Sequence, residues 1–354
     1  MQSEHLVAEA AKRILDNVAD PQSVNRAKDD AWKAPAWAAL EEAGLTLAWV
    51  PEALGGAGAE LADGFAVLRE AGRCATALPL AETLLAGWLL AKADIASPRG
   101  AMTCAPARES ERLTLSGNGT LSGILRSIPF ARGAKHVAVL AGRQGGGEAV
   151  GLVDASEVHI SDGSSIGGDP LNTVSFNAAR PLVVKDAPAG LDRQGLLLMG
   201  AAARAMQMAG ALEAILDLAV SYANERVAFE RPIGKFQAVQ HNLARLAGET
   251  AAAVAAAGSA ADAIAHASTF DEPVFLETAA AKIRVGEAAA EGAAIAHQVL
   301  GAIGFTQEHT LHRFTRRLWA WRDDFGNESA WAVKLGNLVA AQGADGLWPM
   351  LAAR

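Results

Sequence analysis

The sequence is poor in the residues and patterns that most directly advertise chemistry. Two cysteines in 354 residues, Cys74 and Cys104, are too few for a disulfide framework or a Cys-rich zinc site and fit a reducing cytoplasm. Aromatics make up 5% of the chain, with a single tyrosine. Positive charge is in deficit: 31 Lys and Arg stand against 39 Asp and Glu, a net −8, and no basic stripe supplies the counterion release that nucleic-acid binding needs. The longest strongly apolar run, Leu84–Ala91, falls far short of the roughly 20 residues of a membrane span, which argues against membrane insertion. Glu4 and Glu9 precede any long apolar run, unlike a secretory signal. Dinucleotide fingerprints, P-loops and H-E-x-x-H motifs are all missing.

What is present is a large stock of Ala and Leu, and 51% hydrophobic residues overall, enough for a sizeable helical core. Three textures divide the chain. Residues 1–103 read as helices broken by turns: Glu4–Val18, Asp29–Ala43, Leu61–Gly72 and Leu80–Ala93, with the glycine-rich loop Pro51–Gly58 between the second and third. Residues 104–190 carry short β-branched runs punctuated by Gly, Asn and Asp, from Leu113–Leu115 to Leu182–Val184, which predict a small antiparallel barrel or sandwich. Residues 191–354 are helical again. Leu212, Ile215, Leu216, Ala219 and Val220 keep the spacing of a buried stripe. Further long helices are expected at Gln237–His266, Glu272–Leu300 and Glu328–Gly343, with Asp271 and Pro273 as a start signal. Four long helices with short connections imply a four-helix bundle. The fold class is therefore mainly α with a middle β-domain.

Two local clusters invite a chemical reading and fail it. His309 and His312 can share a helix face, but with no further close ligands no metal site is assigned. Cys74 has no basic neighbour in sequence to activate it and reads as an inert thiol.

Three segments carry a resemblance. Trp37 to Gly58 contains Leu40, Trp49-Val-Pro51-Glu52 and Gly55-Gly56-Ala-Gly58. Tyr222 to Ala244 contains Arg226, Phe229, Pro232-Ile, Phe236-Gln237 and His241. Gln298 to Glu308 contains Gly301-Ala302, Gly304-Phe305-Thr306 and Glu308. In this order and spacing they resemble the acyl-CoA dehydrogenase family, whose fold is an N-terminal helical domain, a middle β-domain and a C-terminal four-helix bundle. The resemblance implies FAD between β-domain and bundle, its ADP half completed by a neighbouring subunit. It assigns cofactor contacts to Arg226, Phe229, Gln237, Gln298, Gly301 and Ala302. Arg226 would offer a guanidinium fork to the pyrophosphate, a geometry suited to paired oxygens.

The sequence departs from the family at two places. The family's catalytic base is a Glu in one of two locations; counting along this chain puts Phe325 at one and Gly200 at the other, and neither residue takes a proton. No catalytic residue is assigned. Asp323, Asp324 or Glu328 could serve as a displaced base, although such residues are more often loop or helix-cap carboxylates. In the β-domain the family's flavin-holding patterns are replaced by Thr103–Ser110 and Gly123–Ala134. That combination resembles the short subunits of heteromeric, α2β2 acyl-CoA dehydrogenases of bacterial steroid side-chain degradation. It implies an acyl-CoA substrate, a homologous catalytic partner in a heterotetramer and an electron-transfer acceptor. Two alternatives stay open: a homomeric flavoenzyme with a displaced carboxylate, and a structural subunit without flavin.

Overall fold

The computed structural model describes residues 2–352. Five helices open the chain: α1 (Gln2–Val18), α2 (Pro21–Arg26), α3 (Lys33–Glu42), α4 (Leu61–Arg73) and α5 (Leu80–Lys92). Their starts are written locally. The Asp20 carboxylate accepts from Ser23 N–H at 2.8 Å with Pro21 in the first turn of α2, and Glu60 and Asp63 form a reciprocal capping box on α4. The expected helix Asp29–Ala43 begins only at Lys33, because Asp29 folds back to accept from Ala31 N–H at 3.0 Å.

Eight strands follow: β1 (Met102–Ala105), β2 (Thr114–Leu115), β3 (Leu121–Pro129), β4 (His136–Arg143), β5 (Glu148–Asp154), β6 (His159–Ser161), β7 (Leu171–Ala179) and β8 (Val183–Asp186). They form one sheet in the order β6-β7-β3-β2-β4-β5-β8, with β1 also beside β4. The expectation of a purely antiparallel domain is corrected here, since β1 and β2 both pair with β4 in parallel. Sequence texture reports strand periodicity but not direction. The centres of β4 and β5 are buried at consecutive positions, as befits strands covered on both faces, and α5 packs against β1, β4 and β5. Between Leu125 and Ile128 the register of β3 against β7 shifts, and Ser127 takes a left-handed φ of 55°. That bulge sits on the face that meets the C-terminal helices.

The C-terminal part contains α6 (Arg193–Glu225), a two-strand ribbon of β9 (Val227–Ala228) and β10 (Arg231–Pro232), α7 (Gln237–His266), α8 (Glu272–Leu300), α9 (Leu311–Trp321), α10 (Glu328–Gln342) and α11 (Ala344–Ala352). The starts of α7 and α8 fall where the sequence placed them, and Asp271 accepts from Val274 N–H at the start of α8. The four expected bundle helices, α6, α7, α8 and α10, are present but unequally buried. Helices α6, α7 and α8 pack on one another, whereas α10 buries only Trp331 and α9 was not foreseen. Val220, read as part of the buried stripe, is exposed. Among the described residues one helix, α6, is long and apolar enough to cross a membrane by length and composition, and its most apolar stretch is wholly buried as the bundle's central member.

Close approach locks α4 to α6. A Cβ on Gly72 would lie 1.9 Å from the Gln207 carbonyl oxygen, and one on Gly210 would lie 1.9 Å from that of Arg69. Each helix thus presents a glycine where the other's backbone arrives. Gly210→Ala must push the N-terminal helices off the bundle, and is expected to lower stability by about 1–3 kcal/mol, the range of overpacked contacts. Urea unfolding followed by circular dichroism checks this; an unchanged midpoint would contradict the packing.

Candidate functional site

The chain brings its six assigned cofactor residues to one end of the bundle. The connection 269–270 between α7 and α8 packs at the start of α6, against Gly190 and Gly195, so α7 runs back along α6 and α8 returns parallel to it. The C-terminal ends of α6 and α8 therefore lie together, and Tyr222 meets the ring of His309 edge-on at 6.5 Å. Arg226 closes α6, Phe229 sits in the β9–β10 turn, and Gln237 opens α7; Gln298 lies on the last turn of α8, with Gly301 and Ala302 just beyond it.

All six are exposed. Arg226 and Gln298 have side chains with no hydrogen-bond or ion-pair partner among the described residues. Phe229 is 89% exposed at φ 50°, followed by Glu230 at φ 67°. Two left-handed residues at a two-residue turn are the geometry of a tight hairpin, which normally calls for Asn or Gly, so the ribbon holds a phenyl ring out in solvent at a conformational cost. Gly301 has φ 65° and ψ −143°, a conformation for glycine, and a Cβ there would find no atom within 4 Å. Free donors and an open glycine turn at one helix-bundle end fit the phosphates and ribose of a dinucleotide presented from outside the chain.

The other half of the expected FAD site is the cleft between β-domain and bundle. It encloses about 370 Å³ and is lined by Ser127, Pro129 and Ser165 on one side and Trp319, Asp324 and Phe325 on the other. Pro129 has no N–H to donate. Ser127 Oγ accepts from Arg108 Nη2, and Ser165 Oγ is buried without a partner. The hydroxyls of Ser127, Ser164 and Ser165 all line this wall. The bundle end offers free donors toward a nucleotide, whereas the cleft offers serine hydroxyls and, at Pro129, no backbone N–H.

The two candidate base positions meet. Phe325 is buried at φ 56°, and a Cβ on Gly200 would lie 2.4 Å from its ring. Two positions more than a hundred residues apart thus converge on one point, where a phenyl ring occupies the space left by a missing side chain. Its loop is held from several directions. Trp331 Nε1 donates to the Phe325 carbonyl at 3.1 Å, and Lys282 Nζ donates to the carbonyls of Trp321 and Arg322 at 3.2 and 2.6 Å. Burial lowers the Lys282 ammonium to about 7, offset in part by Asp324.

Asp324, the leading displaced-base candidate, lines the cleft, but its Oδ2 lies 3.0 Å from Arg204 Nε. Arg204 also pairs with Glu82 at 2.6 Å and donates to Gln207. Burial pushes the carboxyls of Asp324 and Glu82 up, while the Arg204 guanidinium pulls both down. Asp323 lies in the same cleft, and Glu328 pairs with Arg322. Sequence reasoning overlooked Arg204 and Lys282. The available signal was an isolated cation inside an apolar helix, which requires buried partners.

The remaining candidates are spent locally. His312 Nδ1 lies 2.7 Å from the His309 carbonyl, and His309 Nδ1 accepts from Leu311 N–H at 3.1 Å. Cys74 and Cys104 are buried, and burial pushes the Cys74 thiol to about 12.

Comparison with known proteins bears on this arrangement. Residues 1–93 match the sequence profile of the "Acyl-CoA dehydrogenase, N-terminal domain" and residues 192–322 that of the "Acyl-CoA dehydrogenase, C-terminal domain". The chain is 30% identical to acyl-CoA dehydrogenase IpdE2 of Mycobacterium tuberculosis, over 89% of this chain and 91% of that one. Among solved structures, the ChsE4-ChsE5 complex of Mycobacterium tuberculosis superposes with a TM-score of 0.85 at 23% identity, over 97% of this chain and 99% of that one. A steroid ACAD described as Tcur3481-Tcur3483 gives 0.83 at 26% identity, over 96% and 98%.

If the Phe325 ring fills the place vacated at Gly200, Gly200→Ala destabilises the protein by about 1–3 kcal/mol. The same change made in Phe325→Ala is expected to cost far less, and a double-mutant cycle measures the coupling. Additive effects would show that the two do not share the site.

Proposed function

The chain belongs to the acyl-CoA dehydrogenase family, and from that premise we propose that it is the base-lacking subunit of a heteromeric enzyme that introduces an α,β double bond into an acyl-CoA thioester. The cofactor is FAD, which when bound accepts the hydride from the substrate's β-carbon. This chain contributes the bundle end, with Arg226, Phe229, Gln237, Gln298, Gly301 and Ala302 facing the nucleotide half of an FAD whose ring lies in the partner subunit. The partner supplies the base that takes the α-proton and most of the acyl pocket, and the electrons pass on to a separate acceptor protein. The substrate is a steroid side-chain or similarly bulky acyl-CoA.

One observation carries this reading: the two base positions of the family meet, and a phenyl ring fills the space between them. A carboxylate is absent where the α-proton has to be removed, while the residues that serve a neighbour's nucleotide stand exposed and unspent. Support for the bulky substrate and the heteromer comes from the Tcur3481-Tcur3483 protein, called a steroid ACAD, and from the ChsE4-ChsE5 structure, called a complex.

Asp324 favours a second reading, a homomeric enzyme with a displaced base. It lines the cleft, and burial raises its carboxyl toward the range a general base needs. Its contact with Arg204 opposes this, because a carboxylate held by a buried guanidinium is a poor proton acceptor.

The chain expressed alone is expected to carry little FAD and to turn over no acyl-CoA, and co-expression with its neighbouring homologue to yield a yellow complex of heterotetrameric mass. Absorbance spectra and light scattering decide; stoichiometric FAD and turnover by the lone chain would replace this reading with the displaced base. In the complex, Arg226→Ala removes a charge-assisted hydrogen bond worth about 1.5–3 kcal/mol. FAD should bind about tenfold to a hundredfold more weakly, with the melting temperature nearly unchanged. Undiminished FAD affinity in that variant would remove Arg226 from the site.

A further inference from the structure

Arg313 is a cation without an ion-pair partner among the described residues, although the carboxylates of Asp169 and Asp30 lie near enough to favour its charge. It projects from α9 into a cleft of about 340 Å³ between that helix, the β6–β7 connection and the connection from α2 to α3. It is half-buried, no side chain of the described residues forms an ion pair with it, and its Nε is buried without a hydrogen-bond partner. Burial and the neighbouring Arg317 lower the guanidinium to about 10, an unusual depression for arginine. A charge partly withdrawn from water without a partner carries a cost, which a bound ligand would offset.

The other charges lining the cleft are already engaged. Arg317, one turn along α9, holds Asp169 with two bonds, Nε at 2.9 Å and Nη2 at 2.6 Å. Lys33 pairs with Asp30 at 2.8 Å, and Asp29 turns an oxygen onto Ala31 N–H. Two cations remain: Arg313 on the helix and the exposed Lys28 on the α2–α3 connection. None of the six cofactor residues lines this cleft.

We propose that this cleft is an anion site for a phosphate group, held by Arg313 and Lys28. A carboxylate presents two coplanar oxygens and would be consumed by one guanidinium fork. A tetrahedral phosphate offers further oxygens to a second cation approaching from another element. The cleft exceeds the size of a lone phosphate, so the group arrives either free or carried on a nucleotide, with Trp32 among the lining residues available to a base. The site is separate from the flavin reading and does not depend on it.

Thermal unfolding of the full-length chain in inorganic phosphate and in chloride at matched ionic strength tests the proposal. The wild type is expected to melt a few degrees higher in phosphate, because a ligand bound to the folded state alone stabilises it. Arg313→Met should abolish that rise while melting no lower than wild type in chloride, since it removes an unpaired charge and keeps the side chain's apolar length. Arg313→Lys should keep part of the rise, and Arg245→Ala, which breaks an exposed pair with Glu291, should keep all of it. Calorimetric titration then separates the sources: AMP binding at least tenfold more tightly than inorganic phosphate identifies a nucleotide, and equal affinity identifies free phosphate. Absence of binding by either compound to the wild type overturns the proposal. So does a fall in melting temperature in chloride for both Arg313 variants, which would show that the guanidinium is satisfied within the fold.

Discussion

The interaction on which the architecture turns is the buried guanidinium of Arg204. It stands on the central helix and reaches Glu82 in the N-terminal helices and Asp324 in the loop after α9. All three side chains are largely withdrawn from solvent. Removing one member of such a group leaves an uncompensated charge, typically at about 3–5 kcal/mol. The geometry therefore fixes three segments, distant in sequence, against one another. Trp321 adds its ring beneath the guanidinium at 5.6 Å.

The candidate site follows from that constraint. Holding Asp324 places Phe325 next in line, and the left-handed backbone there turns the phenyl ring onto Gly200. Lys282 and Trp331 secure the carbonyls on either side. The loop is thereby held by hydrogen bonds from two helices, although the Phe325 side chain cannot accept a proton. Asp324 is explained by the same contact: its carboxylate anchors the loop. The opposite end of the bundle shows the reverse economy. There the side chains of Arg226 and Gln298 are left without internal partners, and Phe229 is held in solvent. Unspent polar groups beside an exposed aromatic are the usual preparation for an interface.

Much of the fold was legible because its signals are local. The cap at Asp271, the apolar stripe of α6 and the strand runs of the middle segment report on neighbours within a few residues. The errors are non-local. Strand direction at β4 depends on two strands arriving from different connections. The demotion of α10 depends on which helices pack around α8. Val220 keeps the spacing of its stripe yet is exposed while Ala219 and Ala223 stay buried, so the buried face is narrower there than the pattern implies.

The sequence by itself determined the three-part layout, the family resemblance and the residues at the two counted base positions, because each is a matter of residue type at a counted position. Tertiary structure decided what the lost positions became. Gly200 and Phe325 are separate absences in the sequence, and only packing makes them one filled cavity. Arg204 and Lys282 are only cations in apolar helices until their partners are placed around them. Counting along a chain finds residue types, whereas burial, charge pairing and the filling of volume are set by residues that only folding brings together.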